Sequence, residues 1–516
     1  MRGNLEFPRA SGILLHLTSL PGPCGIGDLG SGAYRFADFL ASSRQSLWQM
    51  LPLGPTGYGN SPYQCLSAFA GNPQFLSLDK LAADGLLEGP DLEHLPSLPS
   101  TEVSWEAAAR FKTPLLRKSF ENFEKHASPA MRREFDAFCA REKTWLEDYA
   151  LFLALREAHG LAHWNTWEED IRDRRRKALR EWSQRLAGEI RYHQYLQFQF
   201  FRQLDELRWY CHERQIRLIG DAPIFVAPDS ADVWANPEMF YLDVEGRPTV
   251  VAGVPPDYFS MTGQLWGNPL YRWDVMEHDG YEWWIQRLQA AYRMVDIIRL
   301  DHFRGFEGYW EIPASERTAV NGRWVPGPGA RFFEAVQKEL GRLPIIAEDL
   351  GVITPEVEAM RDRFGFPGMK VLQFAFGGDP TDETALPHNY PENCVVYTGT
   401  HDNDTTVGWF RSAGTGDTTR MKEAAEREIN FALTYLGTDG KDINWDFIHL
   451  AMSSRAHTVI IPLQDVLGLG GEARLNLPGR AGGNWGWRFT LDMLTELMGD
   501  RLRVQTVTHG RSLARK

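Results

Sequence analysis

Apolar residues fall into short runs, each closed by polar, Gly or Pro residues. The runs are Gly12–His16, Leu47–Leu53, Ile216–Ile219, Asp296–Leu300, Pro344–Ala347, Lys370–Phe374, Cys394–Tyr397 and His457–Ile461. Stretches with helical periodicity separate many of them: Gly32–Ser42, Tyr281–Met294, Ala330–Leu340, Pro355–Phe364, Thr419–Tyr435 and Asp446–Ser454. Buried parallel strands read as continuous apolar runs. Eight of them alternating with helices predict a parallel sheet. Eight is also the number that closes a (β/α)8 TIM barrel, with an open doubly wound sheet as the alternative.

Two segments interrupt the alternation. After the second run, a Pro/Ser/Gly/Leu-rich linker (85–104) leads into a stretch that is helical almost throughout, as in Trp145–Leu155 and Tyr192–Cys211. We expect residues 75–214 to form a mostly helical subdomain inserted after the second strand. Residues 225–280, after the third, are rich in Pro, Asp, Trp and Tyr and poor in helical pattern, which predicts a small loop-rich subdomain over the site. One catalytic barrel domain spanning 1–516 and carrying both insertions is the expected organisation.

Composition narrows the partners. The 516 residues carry a net charge of −13, which disfavours nucleic acid and anionic membrane, since both select clustered Lys and Arg. The basic run Arg172–Arg176 lies in a charge-mixed helical region and reads as a solvated helix face. The five cysteines (24, 65, 139, 211 and 394) are scattered and lack CxxC spacing. That argues against a disulfide framework or a zinc site and for a reducing compartment. No apolar run reaches membrane-spanning length and no leader pattern opens the chain, so a cytoplasmic protein is expected.

The chemistry gathers at the ends of the runs, and a barrel places its site at the C-terminal strand face. The chain centres on Val295-Asp296-Ile297-Ile298-Arg299-Leu300-Asp301-His302-Phe303-Arg304-Gly305. Alternation puts Val295, Ile297, Arg299 and Asp301 on one face. Charges buried there must be paired or bound to a ligand, and Arg299 is expected to hold Asp301 ionised. The other ends carry Gly220-Asp221, Glu348-Asp349 and Gly399-Thr400-His401-Asp402-Asn403-Asp404. Four strands thus bring carboxylates to one rim. Crowded carboxylates keep at least one of their number protonated, and an ionised acid beside a protonated one is what glycosidic chemistry requires. Alternation leaves open which of Glu348 and Asp349 points inward.

Other motifs carry less. Gly25-Ile26-Gly27-Asp28-Leu29-Gly30 fits GxGxxG, but Pro21 and Pro23 separate it from its strand, and the second strand lacks the terminal acid that would hold ribose hydroxyls. The His401–Asp404 run has neither EF-hand spacing nor a second ligand cluster, so no metal is expected. No GxSxG elbow is present.

Arg299–Gly305, Ala347-Glu348-Asp349-Leu350-Gly351 and Gly399–Thr405 resemble the signature segments of the 4-α-glucanotransferases. These are the amylomaltases or disproportionating enzymes of the α-amylase superfamily. The likeness extends to Leu51–Gly59, Asp229–Trp234, Asn476-Leu477-Pro478-Gly479 and Asn484-Trp485-Gly486-Trp487-Arg488. The chain resembles the shorter form, without a long N-terminal extension. The resemblance implies Asp301 as nucleophile, Glu348 as general acid/base and Asp402 as transition-state stabiliser. It also implies sugar binding by Arg299, His302, His401 and Asp221, stacking of Tyr63 on the donor sugar, and Gln264 and Trp266 in a loop shaping the acceptor side. It implies maltooligosaccharides and other α-1,4-glucans as donors and acceptors, glucose as an acceptor, no cofactor, and retaining transfer through a covalent intermediate; no oligomeric state follows from it. Two positions depart from the family pattern: Ala222, where a bulkier residue is expected, and Phe225, where Tyr is common. A hydrolase of the same bond is the nearest rival. A catalytically dead glucan-binding protein is the rival from another class, and its mark would be loss of an acid at 301, 348 or 402.

Overall fold

The computed structural model describes residues 7–94, 96–256, 260–377, 385–412, 422–480 and 482–513. Of the expected elements, the start of the Thr419–Tyr435 helix (419–421), Leu95 in the 75–214 segment and 257–259 in the 225–280 segment lie outside the described residues.

In chain order the strands are β1 (Ala10–Leu14), β2 (Leu47–Gln49), β3 (Arg217–Pro223), β4 (Val250–Val254), β5 (Gln264–Pro269), β6 (Ile297–Asp301), β7 (Gly308–Pro313), β8 (Arg323–Pro326), β9 (Ile345–Ala347), β10 (Gly368–Val371), β11 (Cys394–Tyr397) and β12 (Thr458–Pro462). Eight of them form one parallel sheet in the order β10-β11-β12-β1-β2-β3-β6-β9. Its two ends meet where Ala347 N donates to Pro367 O at 2.9 Å, just before β10. The fold is thus the TIM barrel, with every expected run overlapping a barrel strand.

Alternation sorts the side chains. Leu14, Leu47, Ile219, Ile297, Ile346, Met369, Val371, Val395, Tyr397 and Ile460 pack together inside the barrel. Their neighbours Ile13, Trp48, Leu218, Ile298, Leu300, Ile345, Val396 and Val459 join the larger core between barrel and helices. Val295 belongs to that outer core, not to the inner face of Ile297, because it precedes the strand and ends the helix Glu282–Met294. Each fully buried aliphatic side chain contributes about 1.5–3 kcal/mol.

Two strand ends differ from expectation in ways that matter for the site. β3 runs four residues beyond Ile219, through Gly220-Asp221-Ala222-Pro223. Gly, Asp and Pro read as turn formers. Here they stay extended because they pair with β6, in a register that sets Asp221 beside Arg299. β10 begins at Gly368 and ends at Val371, and Leu372–Phe374 forms a 3-10 turn. The shift is anchored by Asp349, whose carboxylate accepts from Met369 N at 2.6 Å. A Cβ at Gly368 would stand 2.3 Å from that carboxylate, so the approach requires glycine.

The segment after β3 is more regular than its turn residues suggest. β4 and β5 join β7 and β8, from the connection after β6, in a four-stranded antiparallel sheet ordered β5-β4-β7-β8. Gln264 and Trp266 therefore lie on a strand, β5, not in a loop. The strands are short and bulged, with a register shift between Val251 and Gly253, which hides their alternation.

Between β2 and β3 the chain forms, among others, the helices Trp105–His126, Pro129–Arg141, Lys143–Ala158 and Ala187–Glu213. Their core is continuous with the barrel's outer core. The last helix also grips the loop after β2. Buried Gln197 accepts from Gly71 N and donates to Gly71 O, both at 2.8 Å. Six residues on, Gln203 does the same to Ser77, at 2.7 and 3.1 Å. Each amide satisfies the N–H and the C=O of one residue, which would otherwise be buried unpaired, and the loop that presents Tyr63 is tied down. The Gly25–Gly30 run serves packing: a Cβ at Gly27 would sit 1.9 Å from Leu17 O. All five cysteines are free. No helix among the described residues is long and apolar enough to cross a membrane.

Candidate active site

Arg299 and Asp301 continue the inward alternation of Ile297 on β6. Arg299 Nη1 donates to both oxygens of Asp221, at 2.7 and 2.9 Å, and to Asp301 at 2.9 Å. The Asp221 side chain is 0% exposed and that of Arg299 5%. The Tyr63 hydroxyl donates to Asp221 at 2.7 Å. An unpaired buried carboxylate costs about 3–5 kcal/mol, so Arg299 and Asp221 work as a unit. Asp221, expected to touch sugar, is instead closed off beneath Arg299 and Tyr63 and fixes both of them.

On β9 the inward residue is Ile346, and continued alternation directs Glu348 inward and Asp349 outward. The contacts agree. Glu348 Oε2 accepts from His302 N at 2.7 Å and Oε1 from Leu350 N at 3.1 Å. Asp349 is engaged by Arg361 and Met369 N. The Glu348 carboxylate is thus held by the backbone of the residue that follows Asp301. His302 adopts φ +54°, ψ +49°, the left-handed region that a non-glycine residue rarely enters. That conformation turns its N–H toward Glu348.

Burial raises Glu348 to about 7, with Asp349 adding to the rise and Arg299 and two backbone donors opposing it. Burial also pushes Asp301 well above the usual carboxylate range; Arg299 opposes this, while Asp221, Glu348 and Asp402 reinforce it. Arg299 bonds Asp301 as expected and favours its ionised form, while burial and the neighbouring acids work against it. The Asp301 side chain is 26% exposed, so water in the mouth moderates the rise.

The remaining candidates line the same mouth. His302 is driven down to about 3 by burial, so its ring is neutral. Its Nε2 is buried with no hydrogen-bond partner. Trp266 meets it edge-on at 4.8 Å, and Trp266 Nε1 donates to Gln264 at 3.1 Å. Phe225 packs against His302, with ring centres 6.5 Å apart, and stacks on Tyr271. Tyr63 stacks on His401 at 5.1 Å. His401 is lowered by burial against the pull of Asp402, whose Oδ1 lies 3.3 Å from His401 Nε2. Asp402 follows β11 with its side chain 46% exposed. Its run turns its other acceptors to the backbone: Asn403 Oδ1 accepts from Thr400 N, and Asp404 Oδ1 from Thr405 N.

Sequence reasoning assigned no role to the segment after β12. Leu475 and Trp485 join the barrel-interior cluster from above, and Asn476 Nδ2 donates to Asp402 Oδ1 at 2.6 Å. The signal was present in the Asn-Leu-Pro-Gly and Asn-Trp-Gly-Trp-Arg runs, but neither reveals what its side chains touch.

The model of the family described as 4-alpha-glucanotransferase matches residues 15–494. A 4-alpha-glucanotransferase of Synechocystis sp. is 53% identical over 509 residues, covering 98% of each chain. One from Thermus thermophilus is 54% identical over 501 residues, covering 97% of this chain and 98% of the other. Among solved structures, an amylomaltase from Streptococcus agalactiae in complex with acarbose superposes with a TM-score of 0.92 at 38% identity, over 98% of this chain and 100% of that one.

Proposed function

This chain belongs to the 4-alpha-glucanotransferase family, and from that premise we propose that it moves a glucan segment to the 4-hydroxyl of an acceptor sugar by a retaining double displacement through a covalent glycosyl-enzyme on Asp301. The observation that carries this reading is the Glu348 carboxylate held 2.7 Å from His302 N, one residue after an Asp301 that bonds Arg299. Glu348, raised to about 7, retains a proton near neutrality, as a general acid must.

In the first step Glu348 gives its proton to the leaving 4-oxygen while an Asp301 oxygen attacks C1. Asp301 loses its charge as the ester forms, and Arg299 is left to neutralise Asp221 alone. Glu348, now ionised, takes the proton of an incoming 4-hydroxyl, which attacks C1 and releases Asp301. Two inversions give net retention. Asp402 grips sugar hydroxyls more tightly as the ring flattens, which is binding expressed in the transition state. Neutral His302, with an unpaired ring nitrogen, and His401 are suited to sugar hydroxyls, and a sugar would satisfy the polar atom that burial leaves unpartnered. Tyr63 supports the donor sugar. Trp266 and Gln264 on β5 shape the acceptor side, where a bound sugar keeps water from the ester. α-1,4-glucans are the donors and acceptors, and glucose serves as an acceptor.

Incubation with maltotriose tests transfer. Longer oligomers together with glucose are expected, with no rise in total reducing ends. Reducing ends rising in step with bond cleavage would make the enzyme a hydrolase of the same bond.

The acid cluster also sets the pH dependence. Activity needs Glu348 protonated, so kcat/KM falls as pH rises through about 7. It also needs Asp301 ionised, and because Asp301 is raised, the acid limb lies above the ordinary aspartate range. A narrow bell is therefore expected in kcat/KM for maltotriose. A profile flat from acid to alkaline contradicts the paired roles.

A further inference from the structure

The segment after β12 does more than close the barrel. Leu475 and Trp485 pack onto the barrel-interior cluster, and Trp485 N donates to Leu475 O at 2.7 Å. Trp485 holds φ +63°, unusual for a bulky residue, and its ring lies 5.9 Å from Tyr63 and 6.1 Å from His401. Asn484 staples the turn: its Oδ1 accepts from Leu477 N at 3.0 Å and its Nδ2 donates to Arg480 O at 2.8 Å. The strap so fixed delivers three bonds to one dipeptide. Asn476 N donates to His401 O at 3.1 Å, Arg474 Nη2 to Asp402 O at 2.6 Å, and Asn476 Nδ2 to Asp402 Oδ1 at 2.6 Å. Arg474 Nε in turn donates to Asn476 O at 2.8 Å and locks the strap's own geometry.

Asp402 needs this support. Nearly half of its side chain is open to the mouth, and it has no ion pair with Arg299 such as Asp301 and Asp221 enjoy. His401 Nε2 approaches Oδ1 at 3.3 Å, a longer contact than that from Asn476. We propose that Asn476, held by Arg474 and Asn484, is the positioning residue that fixes the rotamer of Asp402, so that Oδ2 is presented to the sugar while Oδ1 is occupied. This rests on the reading of Asp402 as the transition-state stabiliser. A carboxylate aimed in advance pays no reorganisation cost when the sugar ring flattens, and a loosely held one does. The Asn476-Leu477-Pro478-Gly479 run thus acts on the reaction without touching the reacting atoms.

The test uses the full-length enzyme with Asn476→Ala, Asn476→Asp and Asp402→Asn, each checked for an unchanged melting transition, and follows maltotriose disproportionation. Loss of a hydrogen bond to a charged group predicts a fall in kcat of about 10- to 100-fold for Asn476→Ala, with KM within about threefold. Acarbose should weaken roughly in parallel with kcat/KM, while maltose binding holds. Asn476→Asp sets a second carboxylate against Asp402, so the acid limb of the pH profile should move to higher pH, which a merely structural residue would not do. That measurement decides the matter if the alanine variant fails to fold. Unchanged kcat and pH limbs in both Asn476 variants, with Asp402→Asn inactive, overturn the proposal alone. A rise confined to KM also overturns it, since Asn476 would then hold sugar. Full activity in Asp402→Asn overturns the underlying reading of Asp402.

Discussion

Asp301→Asn is expected to lower kcat for maltotriose by about 10,000-fold or more, with no change in the melting transition beyond a degree or two. The amide is the same size and occupies the same place beside Arg299, so little packing is lost. What disappears is the proposed nucleophile: an amide oxygen cannot form the glycosyl ester, and no other carboxylate stands in its place on β6. Asp221 is fully buried on Arg299 and Tyr63. Glu348 is held by two backbone N–H groups. The substitution also removes a charge that burial and the neighbouring acids both disfavour, so the fold should be unharmed or slightly more stable. The check is a steady-state assay beside a thermal melt. Activity within tenfold of the parent rejects Asp301 as the nucleophile, and a large fall in melting temperature makes it a structural residue.

Glu348→Gln is expected to lower kcat on maltotriose by about 100- to 10,000-fold, the usual weight of a general acid. Its signature lies in substrate dependence. A maltosyl donor whose leaving group departs without protonation, such as α-maltosyl fluoride, should form the glycosyl-enzyme at close to the parent rate. The second step should then stall, because no base takes the proton of the acceptor hydroxyl. Azide, which needs no base, should restore turnover and give an α-configured product. The alkaline limb near 7 should vanish with the group that produces it. Equal losses on maltotriose and on the fluoride would mean that Glu348 only supports the site.

The barrel was legible because its strands are buried on both faces and so read as unbroken apolar runs. Asp301 was legible as a charge at a strand end, where burial makes a charge without a task expensive, and Asp402 as one of a cluster of acids in the run that follows β11. Alternation could not choose between Glu348 and Asp349, since a one-residue shift in strand phase exchanges them; Ile346 inside the barrel fixes that phase. Asp221 was found, but its neighbours were not: the extended path of Gly220–Pro223 depends on pairing with β6, and local composition argues for a turn. The strained backbone of His302 and the bond from Asn476 to Asp402 are tertiary facts, with nothing in local sequence to announce them. The raised Asp301 was missed for a similar reason. The pairing with Arg299 is visible from the spacing Arg299-Leu300-Asp301, but the burial that raises Asp301, and the acids that reinforce it, come from elements distant in the chain.

The covalent intermediate on Asp301 is tested most directly by mass spectrometry of Glu348→Gln after brief exposure to α-maltosyl fluoride, followed by peptide mapping. A single maltosyl adduct on the peptide containing Arg299–Gly305, localised to Asp301 and lost on addition of azide, is the predicted result. An adduct on any other residue, or fluoride release with no adduct and an inverted product, would contradict it.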